Sequence, residues 1–467
     1  MKETILKYVL KNAYDFNGGV NDKVVLGMVL KEKPELKAKV PEVLKGIQAA
    51  VKDISKLSKE ELKKKLDKLA PELLQEKKEE RKEGTLKPLP NAEMGKVVTR
   101  LAPEPSKYNH IGHALVFLIQ YLYAQMYKGK CILRFDDTNP EKSTEEFYRA
   151  MVEDLSWLGI KWDKEFLASD DNPRMYQLAE KLIQQNSAYI CSCSQETIKK
   201  NRELMKPCTC RSQKTEKNLF LWTEMLARKF KEGDVILRLK GDMNSNNGVM
   251  RDPVIFRICY APHFRQGTKY CVWPMYDFEN PVEDALDNVT HVIRSKEFEL
   301  RAELHLYIQK ILGLKTPTIT EIGRYNITGA ETQGRVIREM IKEDKVKGWD
   351  DPRLVTIKAL RRRGFIPEMF KELAQTVGMS KSGGRIDPTV LAAANRSLID
   401  GKVDRYFLVI DPVKIKIIGA PEKEVKIDLH PEFTERGKRI LNPKGEVYLT
   451  KKDCDSMKPG KIYRLMD

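Results

Sequence analysis

The chain has 467 residues, and its 84 basic and 67 acidic side chains leave a formal net charge of +17. That length holds about three domains, and 41% apolar residues can bury several cores, which excludes wholesale disorder. A mean hydropathy of −0.50 with no apolar run of spanning length excludes a transmembrane protein. The opening MKETILKYVLKNAYDF scatters charges among its apolar residues and does not read as a secretory signal. Eight cysteines without an export signal are no disulfide scaffold and point to a reducing, cytoplasmic setting. The positive balance suggests a polyanionic partner, and nucleic acid or a membrane surface would fit it.

Residues 1 to 70 read as helices. Ile5, Leu6, Val9, Leu10 and Ala13 follow a helical period, Asn17-Gly18-Gly19 breaks it, and a second stripe runs through Val24, Val25, Met28 and Val29. Ser58 and Glu61 have capping-box spacing ahead of Leu62, Leu66 and Leu69. The charged, proline-punctuated stretch 76–91 reads as a linker, with a domain boundary near 90–95. Next, VVTRLAP (97–103) is a strand, NHIGHALVFLIQYLYAQMY a long helix and CILRF (131–135) a second strand. That order is a βαβ unit and argues for a parallel sheet. A helical, cysteine-bearing stretch spans 142–232, VILRLK and VIFRICY restore strand texture, and 300–405 is mostly helical. From 406 the runs YFLVI, VKIKIIG, EVKIDL, EVYLT and KIYRLM read as the start of a β-barrel or sandwich.

The turn at 103–113 carries the most chemistry. Pro103, Pro105 and Ser106 shape a loop before His110-Ile111-Gly112-His113 at a helix start. Unpaired N–H groups and the helix dipole favour a phosphate there, Gly112 permits close approach, and two imidazoles can donate to phosphate oxygens. A polar helix cap without a ligand is the bland alternative. Cys191, Cys193, Cys208 and Cys210 form two Cys-x-Cys pairs, a pattern suited to a tetrahedral structural Zn²⁺. Cys131, Cys259, Cys271 and Cys454 lack such spacing and read as ordinary small residues.

VVTRLAPEPSKYNHIGHA resembles the first signature of class I aminoacyl-tRNA synthetases. LRFDDTNPEKS (133–143), WPMYDFENPVEDALDNVTHVIRSKEF (273–298) and GWDDPRLVTIKALRRRGFIPE (348–368) are similar to the glutamyl/glutaminyl subgroup. The extension ending in LPNAEMGKVV is similar to the archaeal glutamyl branch, and the resemblance covers nearly the whole chain. It implies an α/β fold: a Rossmann-type parallel sheet with a helical N-terminal extension, a zinc-bearing insertion, a helical stem-contact domain and an incomplete C-terminal β-barrel. The implied domains are 1–94 (extension and linker), 95–170 (first half of the nucleotide-binding fold), 171–270 (acceptor-binding insertion), 271–340 (second half), 341–405 (stem contact) and 406–467 (partial anticodon-binding barrel).

The implied reaction activates L-glutamate with ATP and Mg²⁺, then transfers it to tRNA-Glu, with tRNA-Gln a further candidate. Arg100 and Arg294 match the family's carboxylate-binding arginines, Asp136 the ammonium acceptor, and Tyr276 and Asn280 the pocket lining. His110 and His113 match its catalytic histidines, and Pro103, Gly112, Gly334 and Arg335 fall in its ATP-binding segments. Arg353, Arg361, Arg362 and Arg363 form a candidate tRNA-contacting cluster. No membrane contact is expected, and a protein partner through the N-terminal helices or the barrel stays open.

The resemblance departs at a second signature, a mobile lysine-bearing loop that steadies the triphosphate. Its place falls at Glu331-Thr332-Gln333-Gly334-Arg335, where glycine stands at the key lysine position. Arg335 is assigned the catalytic charge there, with Arg338 and Lys342 nearby, while Gly378-Met379-Ser380-Lys381-Ser382 is set aside as a turn of the helical domain. Lys107 occupies the usual glycine of the Pro-Ser-Gly turn, Asn109 replaces an apolar residue, and Met275 stands for threonine. The chain ends at RLMD, partway through the family's paired barrels, which leaves a partner chain, a truncated gene or a reduced barrel open. The alternative to an active ligase is a tRNA-binding paralogue or relic with impaired ATP activation, or an enzyme passing glutamyl-adenylate elsewhere.

Overall fold

The computed structural model describes residues 1–15, 19–54, 57–70, 73 and 86–463. It forms two compact units, Met1–Glu83 and Gly84–Asp467. Among the described residues, no helix is long and apolar enough to cross a membrane.

The first unit contains α1 (Lys2–Asp15), α2 (Asp22–Glu32), α3 (Val40–Ile54) and α4 (Lys59–Leu69). Ile5, Val9, Leu10 and Ala13 of α1 pack with Val25, Val29, Val43, Ile47, Leu62 and Leu66. The expected α2 stripe is narrower, because Val24 turns outward at 42% exposure while Val25 and Val29 are buried. The capping box forms as expected, with Ser58 N–H donating to Glu61 Oε2 at 2.8 Å and Glu61 N–H to Ser58 Oγ at 3.4 Å. The break at Asn17-Gly18, the linker as far as residue 85 and the terminal RLMD lie outside the described residues.

The second unit opens with a packed segment. Leu89 is buried and its N–H donates to Tyr127 Oη at 2.9 Å. β1 (Val98–Leu101), α5 (Ile111–Met126) and β2 (Lys130–Phe135) make the expected βαβ unit, with β1 and β2 parallel. Gly129 lets the chain turn against β1, since a Cβ there would meet Val97 O at 2.0 Å. α6 (Glu145–Trp157) leads to β3 (Lys164–Leu167), which extends the parallel sheet beyond β2. Leu115, Leu118, Ile119 and Leu122 of α5 join Leu101, Leu133 and Phe135 in the main core. Each such side chain contributes about 1.5–3 kcal/mol when fully buried.

An antiparallel insertion follows: α7 (Asn172–Gln184), β4 (Ala188–Cys191), α8 (Gln195–Glu203), α9 (Thr215–Leu226), β5 (Ile236–Leu239), β6 (Val254–Ile258) and β7 (Val272–Pro274). Its sheet order is β4-β5-β6-β7. The chain then returns through α10 (Tyr276–Leu286), β8 (His291–Ser295), α11 (Glu299–Leu312) and β9 (Thr318–Ile322). β8 and β9 pair in parallel, and Thr290 ties β8 to β1 by donating its N–H to Val98 O at 3.0 Å. After β10 (Tyr325–Ile327) come α12 (Gly334–Lys342), α13 (Ile357–Arg362), α14 (Pro367–Val377), β11 (Gly384–Ile386) and α15 (Pro388–Ile399). Phe370 and Ala374 of α14 belong to the same core as α5.

The last segment holds β12 (Pro412–Lys416), β13 (Val425–Asp428), β14 (Lys438–Leu441), β15 (Glu446–Thr450) and α16 (Lys451–Ser456). It builds two separate antiparallel pairs, β12 with β15 and β13 with β14, in place of one continuous sheet. The apolar run YFLVI is not a strand; Tyr406, Phe407 and Leu408 are 76%, 67% and 84% exposed. Strand propensity there finds no ladder to join. Conversely, β3 and β4 interrupt the stretch expected to be helical before 232, and β9, β10 and β11 interrupt the later one. These short strands carry too few residues to display a period of two.

Candidate functional site

A cavity of about 800 Å³ opens where the parallel sheet, the start of α5 and the first turns of α10 converge. Arg100, Pro103, His110, Gly112, His113, Asp136, Tyr276, Asn280 and Arg294 all line it. Segments nearly two hundred residues apart thus meet because β1, β2 and β8 lie side by side.

The floor is a buried polar network. Arg100 Nε donates to Asp284 Oδ1 at 3.0 Å, and Arg134 Nη1 donates to the same oxygen at 2.8 Å. Arg134 Nε donates to Asp136 Oδ1 at 2.7 Å, and Asn280 Nδ2 to Asp136 Oδ2 at 2.9 Å. Burial would raise the Asp284 carboxyl, but the Arg100 and Arg134 guanidinia hold it below its ordinary value. Glu279 goes the other way: burial, then the neighbouring Asp136 charge, pushes it far above its usual range. Burial likewise lifts Glu283 to about 9, so Glu283 holds its proton at neutral pH, and burial disfavours the charged form of Glu279 in the same direction.

Arg294 Nη1 donates to His305 Nδ1 at 3.1 Å. That bond requires the other ring nitrogen of His305 to carry the proton, and it faces Asp277 Oδ1 at 3.3 Å. Arg301 closes the chain on Asp277. Among the described residues, the Nε and Nη2 groups of Arg294 are buried without a protein partner, and so is Asn280 Oδ1. Buried donors of this kind await an acceptor, because leaving them unpaired costs about 1–3 kcal/mol each.

The opposite end is organised by two histidines. His110 caps α5, its Nδ1 accepting the Gly112 N–H at 3.0 Å, while His113 Nδ1 accepts the His110 N–H at 3.2 Å. The rings stack with centroids 3.9 Å apart. Burial, then the Lys107 and Arg324 charges, lowers His110 to about 3; His113 is depressed by burial and by His110. Both imidazoles are therefore neutral, and with Nδ1 accepting, Nε2 carries the proton as a hydrogen-bond donor.

Gly334 and Arg335 do not line this cavity. Gly334 starts α12, and Arg335 is exposed, with Glu339 4.0 Å away. Arg338 Nη1 ties α12 to the histidine loop by donating to Ser106 O at 3.2 Å. Ser380 accepts the Gly323 N–H at 2.7 Å in the turn before β11, and Lys381 is exposed and not part of the lining.

Arg361 and Arg362 line a separate hollow of about 480 Å³ with Tyr108, Trp349 and Lys358. Arg361 pairs with Glu153 at 2.8 Å and Arg362 with Asp350 at 3.2 Å. Arg353 pairs with Asp351 at 2.8 Å, and Arg363 lies over the Phe365 ring, so neither lines that hollow.

The four paired cysteines come together at the end of β4. Their sulfurs lie within 4.8 Å of one another, with Cys191 and Cys208 3.8 Å apart and Cys193 and Cys210 3.9 Å apart. Zn–S bonds of about 2.3 Å in a tetrahedron put sulfurs about 3.8 Å apart, so the set fits Zn²⁺. Arg238 Nη1 approaches Cys208 Sγ at 3.6 Å and Cys191 Sγ at 3.8 Å, and the Tyr189 hydroxyl is 3.5 Å from Cys208 Sγ. These are partners for thiolate charge.

Sequence reading overlooked Arg134, Asp284, Glu279 and His305. One signal was available: Glu279, Asn280, Glu283 and Asp284 share one face of α10 at helical spacing, and all are buried. Four polar residues on the inward face of a helix mark a site rather than a core.

Residues 96–400 match the family model for the catalytic domain of class I (E and Q) tRNA synthetases. Residues 403–467 match the model for the anticodon-binding domain of the same class. The chain is 44% identical over 468 residues to the glutamate–tRNA ligase of Pyrococcus abyssi, covering 99% of this chain and 82% of that protein. It is 42% identical to the Pyrococcus furiosus glutamate–tRNA ligase, covering 100% of this chain and 83% of that one. Against the Methanocaldococcus jannaschii glutamate–tRNA ligase it is 40% identical, with coverage of 100% and 83%.

Proposed function

The chain belongs to the class I (E and Q) tRNA synthetases, and from that premise we propose that it is a glutamate–tRNA ligase. The charge of the cavity floor carries this reading. Arg100, Arg134 and Arg294 bring three guanidinia to the carboxylates of Asp136 and Asp284, and burial disfavours the charged forms of Glu279 and Glu283, which leaves a cationic surplus. Glutamate, with two carboxylates and one ammonium, complements that surplus.

In the proposed pose, Arg100 and Arg294 hold the two carboxylates and Asp136 takes the ammonium, with Tyr276 and Asn280 closing the sides. A neutral amide in place of the side-chain carboxylate would leave the unpartnered Arg294 donors poorly matched. The glutamate α-carboxylate oxygen attacks the α-phosphorus of ATP. The bond to the bridging oxygen breaks, pyrophosphate leaves, and glutamyl-adenylate remains. A terminal ribose hydroxyl of tRNA then attacks the activated carbonyl, losing its proton as AMP departs. Neutral His110 and His113 donate from Nε2 to phosphate oxygens alongside the N-terminus of α5. Pro103 and Gly112 shape that end. Mg²⁺ enters with ATP as counter-ion of the triphosphate.

The Cys191, Cys193, Cys208 and Cys210 set would hold a structural Zn²⁺ that staples the tip of the 171–270 insertion, where the tRNA acceptor end is placed. Residues 341–405 serve as the stem-contact region, with Arg353, Arg361, Arg362 and Arg363 exposed toward phosphates. Residues 406–467 belong to the anticodon-reading region. The alternative of a tRNA-binding relic leaves the paired floor without a use.

ATP–pyrophosphate exchange in the presence of glutamate and tRNA-Glu tests the reading. Exchange above background is expected, and background exchange with every tRNA-Glu tried would refute it. Charging of tRNA-Glu against tRNA-Gln, with glutamate and with glutamine, tests the specificity assigned to Arg294.

A further inference from the structure

The cavity cations fall into two groups. Arg100, Arg257, Arg301 and Arg324 each have a carboxylate partner, and Arg294 rests on His305. Among the described residues, Lys107 and Lys142 have no carboxylate within 4.0 Å, and Lys142 is exposed. Lys107 is only half-exposed, and burial lowers its ammonium below the ordinary lysine value. Its charge, with that of Arg324, is felt by both His110 and His113, so it stands at the histidine end.

Its side chain also takes a particular path. A Cβ built on Gly334 would meet Lys107 Cβ and Cδ at 3.2 Å each. The first residue of α12 is thus a glycine where the stem of Lys107 passes, and a side chain at 334 would claim the same space. Arg338 holds α12 against this loop through Ser106 O at 3.2 Å. An ammonium with no carboxylate within 4.0 Å among the described residues, beside two neutral imidazole donors and the start of α5, is a place for a polyanion.

We propose that Lys107 supplies the cationic contact to the triphosphate of ATP, entering the cavity through the space that Gly334 leaves open. The inference rests on the ligase reading above and deepens it at the nucleotide end. Lysine serves here as a compact point charge whose flexible stem can follow the phosphates as pyrophosphate separates.

Titration calorimetry of the full chain with magnesium-ATP, and separately with glutamate, tests it. Lys107→Met keeps the aliphatic stem and removes the charge. It should weaken ATP binding roughly ten- to hundredfold, the value of a charged hydrogen bond, and leave glutamate binding within about twofold. Lys107→Arg should stay close to the unchanged protein. The double variant Lys107→Gly/Gly334→Lys, in which the ammonium comes from the other side of the contact, should bind ATP about fivefold or more tighter than Lys107→Gly alone. Unchanged ATP affinity in Lys107→Met, equal losses for ATP and glutamate, or a double variant no better than Lys107→Gly would each overturn the assignment. An unchanged protein that binds no ATP at all would instead overturn the ligase reading on which it rests.

Discussion

The two ends of the cavity are built on opposite principles. At the floor, Arg100, Arg134, Asp136, Asn280 and Asp284 are already tied to one another by hydrogen bonds. At the proposed nucleotide end, two neutral histidines open the helix, and the charge comes from Lys107, with no carboxylate within 4.0 Å among the described residues, and from Arg324 paired to Glu297. The floor is preorganised, so it can discriminate a small amino acid by charge and shape at little reorganisation cost. In the proposed reaction the other end would meet a flexible triphosphate that changes as it reacts, and looser, hydrogen-bond-donating groups suit that task.

Asp284 offers the severest way to break the comparison. Asp284→Asn leaves Arg100 and Arg134 buried with one compensating carboxylate fewer, and we expect a loss of about 3–5 kcal/mol in stability. Urea unfolding measures it; a midpoint near that of the unchanged protein would mean the floor is not interlocked. Arg294 comes next, because it lines the cavity and two of its donors have no protein partner among the described residues. Arg294→Gln should raise the glutamate KM by about ten- to hundredfold, leave the ATP KM unchanged and alter stability by less than about 1 kcal/mol. Steady-state kinetics with each substrate varied separates these; a shared loss would place Arg294 in the structural network instead.

The effect that is smallest at acidic pH concerns Glu283. Its native pKa of about 9 lies above the unfolded value, so the folded chain keeps a proton that the unfolded chain loses. Stability from this group is full at low pH and falls as pH rises from about 4.5 toward 9. Glu283→Gln should remove that fall, stabilising the protein by on the order of 1 kcal/mol at pH 5.5 and by more as the pH rises, with little effect at pH 4. Thermal melts across that range test it, and parallel pH profiles of the two proteins would show that Glu283 is ionised in the fold.

The local features were legible because they are written in neighbouring residues. The capping box at Ser58 and Glu61, the βαβ unit around α5 and the two Cys-x-Cys pairs each depend on spacings of a few positions. The site was partly legible for the same reason: Arg100, His110, His113, Asp136, Tyr276, Asn280 and Arg294 sit in motifs and line one cavity. Arg134 and Asp284 were not, since their meaning lies in a contact across 150 positions. Strands of three to five residues such as β9, β10 and β11 were missed because a partner, more than their own pattern, makes them strands.

By itself, then, the sequence determined the chemistry on offer: a histidine pair at a helix start, arginines and an aspartate of the kind a zwitterionic acid would need, and four thiols in two pairs. Tertiary structure alone decided how those groups are charged and which stay free. Burial keeps Glu283 protonated and His110 neutral and disfavours the charged form of Glu279, and carboxylate partners hold Arg100 and Arg134 while two donors of Arg294 stay unmet. The physical reason is that protonation and pairing depend on desolvation and on charges a few ångströms away, and those neighbours are set by the fold rather than by adjacency in the chain.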